Sequence, residues 1–342
     1  MKKKILALIL ACAMILALAA CSGSANTEQP AAEAPASDAA SGTTEAPAAE
    51  GKTYTVGVCQ LVQHEALDAA TQGFCDALTE ALGDAVTIDV QNASGDSVNC
   101  GTIVNGFVSK NVDLIMANAT PALTAAASAT ADIPILGTSI TAYGVALDIA
   151  DFDGTVGGNI SGTSDLADLA AQAQMILDWF PDTQKVGLLF CSAEPNSRYQ
   201  IEEVAKYLAD KGVETEEFAF TDTNDVASVT QSAADYADVV YIPTDNTAAA
   251  NTEAIGNVLI PAGVPAICGE EGICRGCGVA TLSISYYDLG VTTGKMAAKI
   301  LTGEANISEM PVEFTDATPK YSPSVCEQLG ITPLEGYEAI EG

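Results

Sequence analysis

Two stretches decide how this chain folds: "DVVYIPTDNTAAA" (residues 238–250) and "DLIMANATPALTAAA" (residues 113–127). Each opens on an acid, runs through apolar residues, and ends in a knot of hydrogen-bonding groups followed by an alanine-rich run. A short apolar run bounded by turn residues reads as a buried strand, and the alanine-rich run after it reads as a helix. Both stretches are therefore strand ends turning into helix starts. Thr120 is the expected N-cap before Pro121, which suits the first helical position, and Asp245 or Asn246 is placed to cap the later helix.

The same alternation extends outward from both. "TYTVGVCQ" (53–60) is a strand; Leu67, Ala70, Phe74, Leu78 and Leu82 then recur at helical spacing until Gly83. "AVTIDVQ" (85–91), a helix over about 97–110, the strand "DLIMAN", a helix over 121–131 and the strand "IPILG" (133–137) follow. After "GGNISGTSD" (157–165) the order restarts with a helix near 165–180, "KVGLLF" (185–190), "VETEEFAF", "DVVYIP" and "VPAICG" (264–269), helices lying between them. Three stretches echo one another in the same order: "VGVC" with "VGLL", "DLIMAN" with "DVVYIP", and "IPILG" with "VPAICG". The expected fold is α/β, two Rossmann-like lobes with mostly parallel sheets. The run "GGNISG" reads as a flexible crossover between them, the place for a hinge. The strand "VATLSIS" (279–285), a helix over 287–301, a strand near 311–315 and a helix near 323–329 are what the chain needs to cross back.

In parallel sheets, ligands bind beyond the C-terminal ends of the strands, beside helix N-termini with unsatisfied N–H groups. In the first lobe that edge carries Gln60, His64, Asn118, Ala119, Thr120, Thr138, Ser139 and Thr141. In the second it carries Glu194, Asn196, Ser197, Asp245, Asn246 and Glu270. Facing each other, the two edges line a cleft with hydroxyl and amide groups on one side and carboxylates on the other. That suits a small zwitterion, its carboxylate at N–H and O–H donors and its ammonium at Asp245 or Glu270.

The N-terminus "MKKKILALILACAMILALAAC" places three lysines before an apolar run of about 16 residues, too short to span a bilayer and patterned as a secretory signal. Leu18-Ala19-Ala20-Cys21 looks like a lipobox, with Cys21 the lipidated residue. Residues 22–52 are rich in Ala, Ser, Thr, Pro, Glu and Gly and read as a disordered tether. The 342-residue chain carries 13 Lys and Arg against 45 Asp and Glu, and three of those lysines lie in the signal. So acidic a body argues against nucleic acid and against adsorption on anionic lipid.

Of ten cysteines, eight remain beyond Cys21. Cys274-Arg-Gly-Cys277 is a C-x-x-C pair placed before a strand rather than at the start of a helix, and it reads as a local disulfide or as free thiols. One pair with a solitary histidine makes a poor zinc set. His64 is the only histidine, no G-x-S-x-G elbow occurs, and "GVTTGKM" (290–296) lacks the spacing of a phosphate loop. No catalytic residue, metal or cofactor is expected, and the chain does not read as an enzyme.

At these same stretches the chain resembles a known family. "HEALDAATQGFCDAL" (64–78), "DLIMANATPAL" (113–123), "IPILGTSIT" (133–141), "GNISGTSD" (158–165), "EPNSRYQIEE" (194–203), "YIPTDNT" (241–247), "GEEG" (269–272) and "SYYDLGVTTGKMAAKIL" (285–301) resemble the tryptophan/tyrosine-type ABC transporter substrate-binding lipoproteins, which have a type I periplasmic-binding fold. The resemblance covers about 54–335. It implies two α/β lobes joined by a hinge, closing on one small molecule, often an aromatic amino acid, with a membrane permease and ATPase as partners. The chain departs from the pattern at Ala142-Tyr143, where the family tends to Asp-Pro, and at Cys277, where it tends to Gly. The expected organisation is a signal peptide (1–20), a linker (21–52), an N-terminal lobe (53–158 with about 286–310) and a C-terminal lobe (159–285 with about 311–342). The expected role is an extracytoplasmic, lipid-anchored receptor capturing an aromatic or apolar amino acid for an ABC importer. The alternative on the same fold is a ligand-sensing receptor for a membrane kinase.

Overall fold

A computed structural model describes residues 52–341. The signal peptide, Cys21 and nearly all of the linker fall outside the described residues. The first sheet is built from β1 (Tyr54–Gln60), β2 (Val86–Asn92), β3 (Leu114–Asn118), β4 (Ile135–Ile140) and β5 (Ile160–Ser164). Helices α1 (Glu65–Leu82), α2 (Ser97–Lys110), α3 (Thr120–Ala129) and the short α4 (Tyr143–Ala146) connect them. The second half runs α5 (Leu169–Trp179), β6 (Lys185–Cys191), α6 (Pro195–Asp210), β7 (Glu214–Phe220), α7 (Val226–Tyr236) and β8 (Val239–Ile242). It continues through α8 (Asn246–Ala249), α9 (Thr252–Ala262), β9 (Ala266–Cys268), α10 (Glu271–Cys277) and β10 (Ala280–Ser283). The chain then returns through α11 (Tyr286–Thr302) and β11 (Glu313–Phe314) to the first sheet, and ends with β12 (Thr318–Tyr321), α12 (Pro323–Leu329) and β13 (Glu338–Ala339) in the second.

Strand order is β2-β1-β3-β4-β5-β11 in one sheet and β7-β6-β8-β9-β10-β12-β13 in the other. The first five strands of each half thus take the same spatial order, and the three sequence echoes fall on equivalent strands: β1 with β6, β3 with β8, β4 with β9. The first sheet is parallel throughout, and in the second only the β10–β12 pairing is antiparallel. Central strands β3, β4 and β8 are buried along their whole length, which is why they read as unbroken apolar runs. Edge strands β2 and β7 alternate instead.

Three local expectations are corrected. The "ISGTS" run is not a flexible crossover but the buried strand β5 of the first sheet, so that sheet extends a few residues past the expected border at 158, and β11 carries it past 310. Its composition hid it, because its polar groups are satisfied by distant partners. The Ser161 hydroxyl donates to the carbonyls of Met310 (3.0 Å) and Pro311 (3.2 Å), Ser164 donates to the Thr141 carbonyl (3.1 Å), and Thr163 pairs with both Thr138 and Thr293. Second, Thr120 is the first residue of α3 rather than its N-cap. Ala119 holds that position at φ +86° without a side-chain cap. Third, Cys274 and Cys277 lie on α10, a helix that follows strand β9, at its last turn. Both thiols are free and buried, and none of the eight cysteines in the described residues forms a disulfide.

The Tyr143 side chain turns into the first lobe's core. Its hydroxyl donates to the Thr163 carbonyl (3.2 Å), and its ring runs beside Phe152. Gly137 and Gly162, on neighbouring strands, make the room: a Cβ on either would strike the Tyr143 hydroxyl. A second close approach joins α1 to α11, which meet through Gly73, Gly290 and Gly294. A Cβ on Gly290 would be driven into the Ala70 carbonyl, and one on Gly294 would stand 2.7 Å from the Phe74 carbonyl oxygen. Around this contact Phe74, Leu78, Met296 and Leu301 form one apolar layer of the first lobe. Gly290→Leu is therefore expected to force the helices apart at a cost of about 1–3 kcal/mol or more, lowering the thermal midpoint by several degrees. An unchanged midpoint would mean that the helices do not approach so closely.

Candidate functional site

The C-terminal edges of the two sheets face one another across a closed-down chamber with a cavity volume of only about 10 Å³. This is far below the about 300–1,000 Å³ of small-molecule sites, so the two walls lie almost against one another and must part to admit a ligand. The first lobe contributes His64, Leu67, Ser139, Thr141 and Asp165; the second contributes Asn196, Thr244, Asp245, Asn246, Ala249 and Glu270; Tyr286 enters at the start of α11. Seven expected residues thus meet here: His64, Ser139, Thr141, Asn196, Asp245, Asn246 and Glu270. Wider grooves elsewhere on the surface are more open.

The other seven expected residues do not line the chamber, and their geometry shows what they do instead. Gln60 accepts from Thr71 (2.6 Å) and donates to Asp68 (2.6 Å), holding α1 against β1. Asn118 donates to the Leu67 carbonyl (2.8 Å) and the Thr71 hydroxyl (2.9 Å), fixing the same helix. Ala119 and Thr120 form the buried turn into α3. Thr138 is tied to Thr163 (3.1 Å) inside the first sheet. Glu194 accepts from the Asn246 and Thr247 backbone N–H groups (3.0 and 2.9 Å) and from both their side chains, so it organises the turn into α8 from behind. Ser197, fully buried, accepts from Asn196 (3.3 Å).

The helix starts around the chamber are capped unevenly, and α6 of the second lobe opens after Glu194 without a side-chain cap. In the second lobe Asp245 caps α8, its two carboxylate oxygens accepting from the Ala248 N–H (2.7 Å) and the Cys191 N–H (2.6 Å). Glu270 caps α10 by accepting from Gly272 and Ile273. Both acids are thereby committed to their own backbone. In the first lobe, α1 begins at His64 and α3 at Ala119, and neither has a side-chain cap. Acids in the first turn of α1 are drawn away, Glu65 to Arg275 of the other lobe and Asp68 to Gln60. An uncapped helix start favours anions. Ser139 beside it holds φ +56°, a strained value for a non-glycine residue.

Asp165 and Tyr286 are the chamber residues that sequence reading missed. Asp165 immediately follows β5, where the chain first leaves the first sheet; Tyr286 opens α11, where it returns. The Tyr286 hydroxyl donates to Asp165 Oδ2 (2.9 Å), pinning the two crossings together. The signal was present in "ISGTSD", another run ending in an acid before a helix, but it was obscured once the run was taken for a linker. Leu67 and Ala249 line the chamber as ordinary helix positions, and Thr244 lies on the same turn as Asp245.

Three buried polar atoms at the chamber have no hydrogen-bond partner among the described residues: Ser139 Oγ, Asp165 Oδ1 and Asn196 Oδ1. Buried polar atoms are nearly always satisfied, so a cluster of exceptions marks a place for a partner. Burial raises the Asp165 pKa above the usual carboxylate range. Burial, with Glu194 nearby, pushes Asp245 up to about 8, and burial pushes Glu270 up to about 7. Burial lowers the His64 pKa. His64 Nε2 faces Asn246 Oδ1 (3.3 Å), and the Asn246 amide nitrogen donates to Glu194, so the neutral ring carries its proton on Nε2 and donates across the cleft.

The comparisons agree with this architecture. Residues 55–336 match the family model described as ABC transporter substrate binding protein. The chain is 33% identical over 270 residues, 78% of each chain, to a tyrosine-binding protein of Clostridioides difficile. A Streptococcus pneumoniae ABC domain in complex with L-Trp aligns with TM-score 0.80 at 31% identity, over 84% of this chain and all of that one. The ligand-free, open structure of a substrate-binding protein with adhesive properties from Clostridium difficile aligns with TM-score 0.65 at 32% identity, over 84% of this chain and 99% of that one.

The raised carboxylates carry a consequence for stability. In the unfolded chain Asp245 and Glu270 lose their protons near pH 4; in the fold they keep them until about 8 and about 7. Their contribution is therefore complete at low pH and lost as pH rises through the folded values, at up to about 1.4 kcal/mol per pH unit for each group. His64 acts in the opposite sense, but only below its ordinary value near 6.5. From pH 6.5 to 9 the thermal midpoint of the ligand-free protein is expected to fall. A midpoint that holds or climbs across that window contradicts the buried acids.

Proposed function

The chain belongs to the ABC transporter substrate-binding protein family, and on that premise we propose that it captures an aromatic amino acid between its two lobes and delivers it to a membrane permease and ATPase for import. The observation that carries the reading is the set of unpartnered buried atoms around an enclosed chamber, with a carboxylate among them. A free amino acid matches that set. Its ammonium goes to Asp165 Oδ1, the one chamber carboxylate oxygen left without a partner, rather than to Asp245 or Glu270, whose oxygens are taken by helix caps. Its carboxylate goes to the first-lobe wall, where Ser139 and Thr141 stand beside the uncapped start of α1. The relatives that bind tyrosine and L-Trp support an aromatic side chain.

The three passages between the sheets, after β5, after β10 and after β11, are the hinge in this reading. His64 with Asn246 and Arg275 with Glu65 then join the lobes on the closed side. At the N-terminus the signal pattern and the lipobox support export and attachment through Cys21. More than one acyl chain there suffices for stable anchoring, and the linker spaces the body from the membrane. Capture is non-covalent: the ligand leaves unchanged.

Calorimetry and thermal shift test the reading. Aromatic amino acids are expected to bind and to raise the thermal midpoint through linkage, whereas sugars and purines leave it in place. Asp165→Asn is expected to weaken binding about 30-fold or more, the scale for a charge partner lost from a buried pair. A wild-type protein that responds to no amino acid refutes the proposal.

A further inference from the structure

Asn196 is the second residue of α6, 3% exposed, on the second-lobe wall of the chamber. Its surroundings fix the orientation of its carboxamide. One end lies 3.2 Å from Glu194 Oε2, 3.1 Å from the Thr244 carbonyl oxygen and 3.3 Å from Ser197 Oγ. A carbonyl oxygen has no proton to give, and a carboxylate is an acceptor as well, so that end must be the NH₂ group; an oxygen there would set acceptor against acceptor. The other end is therefore Oδ1, an obligate acceptor, and it is one of the buried atoms without a partner.

The chamber thus holds two acceptors that need separate treatment. Asp165 Oδ1 belongs to a carboxyl at the crossing between the sheets and is the natural seat of a cation. Asn196 Oδ1 is neutral, lies on a helix of the opposite lobe, and has no hydrogen-bond partner among the described residues. A buried acceptor left without a donor is destabilising, so a fitting ligand brings a second donor away from its ammonium. Resting on the amino-acid reading above, we infer that Asn196 is a specificity-determining residue. Its Oδ1 accepts a hydrogen bond from a donor on the ligand's ring, a phenol O–H or an indole N–H. The chamber then selects donor-bearing aromatic amino acids over phenylalanine, which has the same framework as tyrosine and no ring donor.

The test is isothermal calorimetry of tyrosine, tryptophan and phenylalanine against the wild-type protein and Asn196→Leu. In the wild type, tyrosine or tryptophan is expected to bind at least about 10-fold more tightly than phenylalanine, the penalty for leaving a buried acceptor unpaired. In Asn196→Leu that ratio is expected to collapse towards one, with phenylalanine keeping its affinity. Equal affinities in the wild type overturn the inference, as does a ratio that survives the substitution. An equal loss for all three ligands also overturns it, because it would place Asn196 on the shared ammonium. Should the variant not fold, since Asn196 also braces Glu194 and Thr244, the wild-type ratio decides alone. Absence of binding by all three to the wild type removes the amino-acid reading itself, whereas binding without discrimination removes only the role of Asn196.

Discussion

Polar groups sealed between two lobes must find partners inside the protein, and this constraint shapes the whole site. A parallel sheet delivers every strand end and every helix start to one edge. When two such edges meet, their N–H groups and side chains lose water together. In the second lobe the acids are satisfied internally, since Asp245 and Glu270 cap helices and Glu194 braces the turn into α8, while Asn196 keeps one unpaired oxygen. In the first lobe the need for partners is left open. Helices α1 and α3 start without side-chain caps, and Ser139 and Asp165 keep unpaired oxygens. Both walls thus leave buried acceptors facing the chamber, at different places on a duplicated framework.

Tying these walls to the chain's path gives the site its precision. Asp165 and Tyr286 are hydrogen-bonded to each other at two of the places where the chain passes between sheets. A carboxyl with one unpartnered oxygen therefore sits at a passage of the chain between the sheets. Behind it, the Thr138–Thr163–Thr293 hydroxyl chain and the buried Tyr143 lock β4, β5 and α11 into one unit.

The sequence was readable wherever a pattern is local. Strands β1, β3, β4, β6, β8 and β9 announced themselves as apolar runs, and their echo predicted two like halves, which the matching strand orders bear out. Seven of the expected site residues reached the chamber because strand-end position alone puts them there. It was unreadable wherever satisfaction is non-local. Strand β5 looked like a linker because Ser161, Thr163 and Ser164 carry hydroxyls whose partners are up to about 150 residues away in the chain. With β5 misread, Asp165 was lost as a strand-end acid, and Tyr286 with it.

What the sequence determined by itself, then, is the class of the molecule: a strongly acidic α/β body of two similar halves, with polar strand ends in recurring positions. Periodicity and composition suffice for that, since each depends on neighbours a few residues apart. Which acid is free and which is spent on a helix cap was decided only by the tertiary structure. In the sequence Asp165, Asp245 and Glu270 are alike in being acids that follow a strand. They differ because two of them meet backbone N–H groups and the third meets a tyrosine hydroxyl with one oxygen to spare.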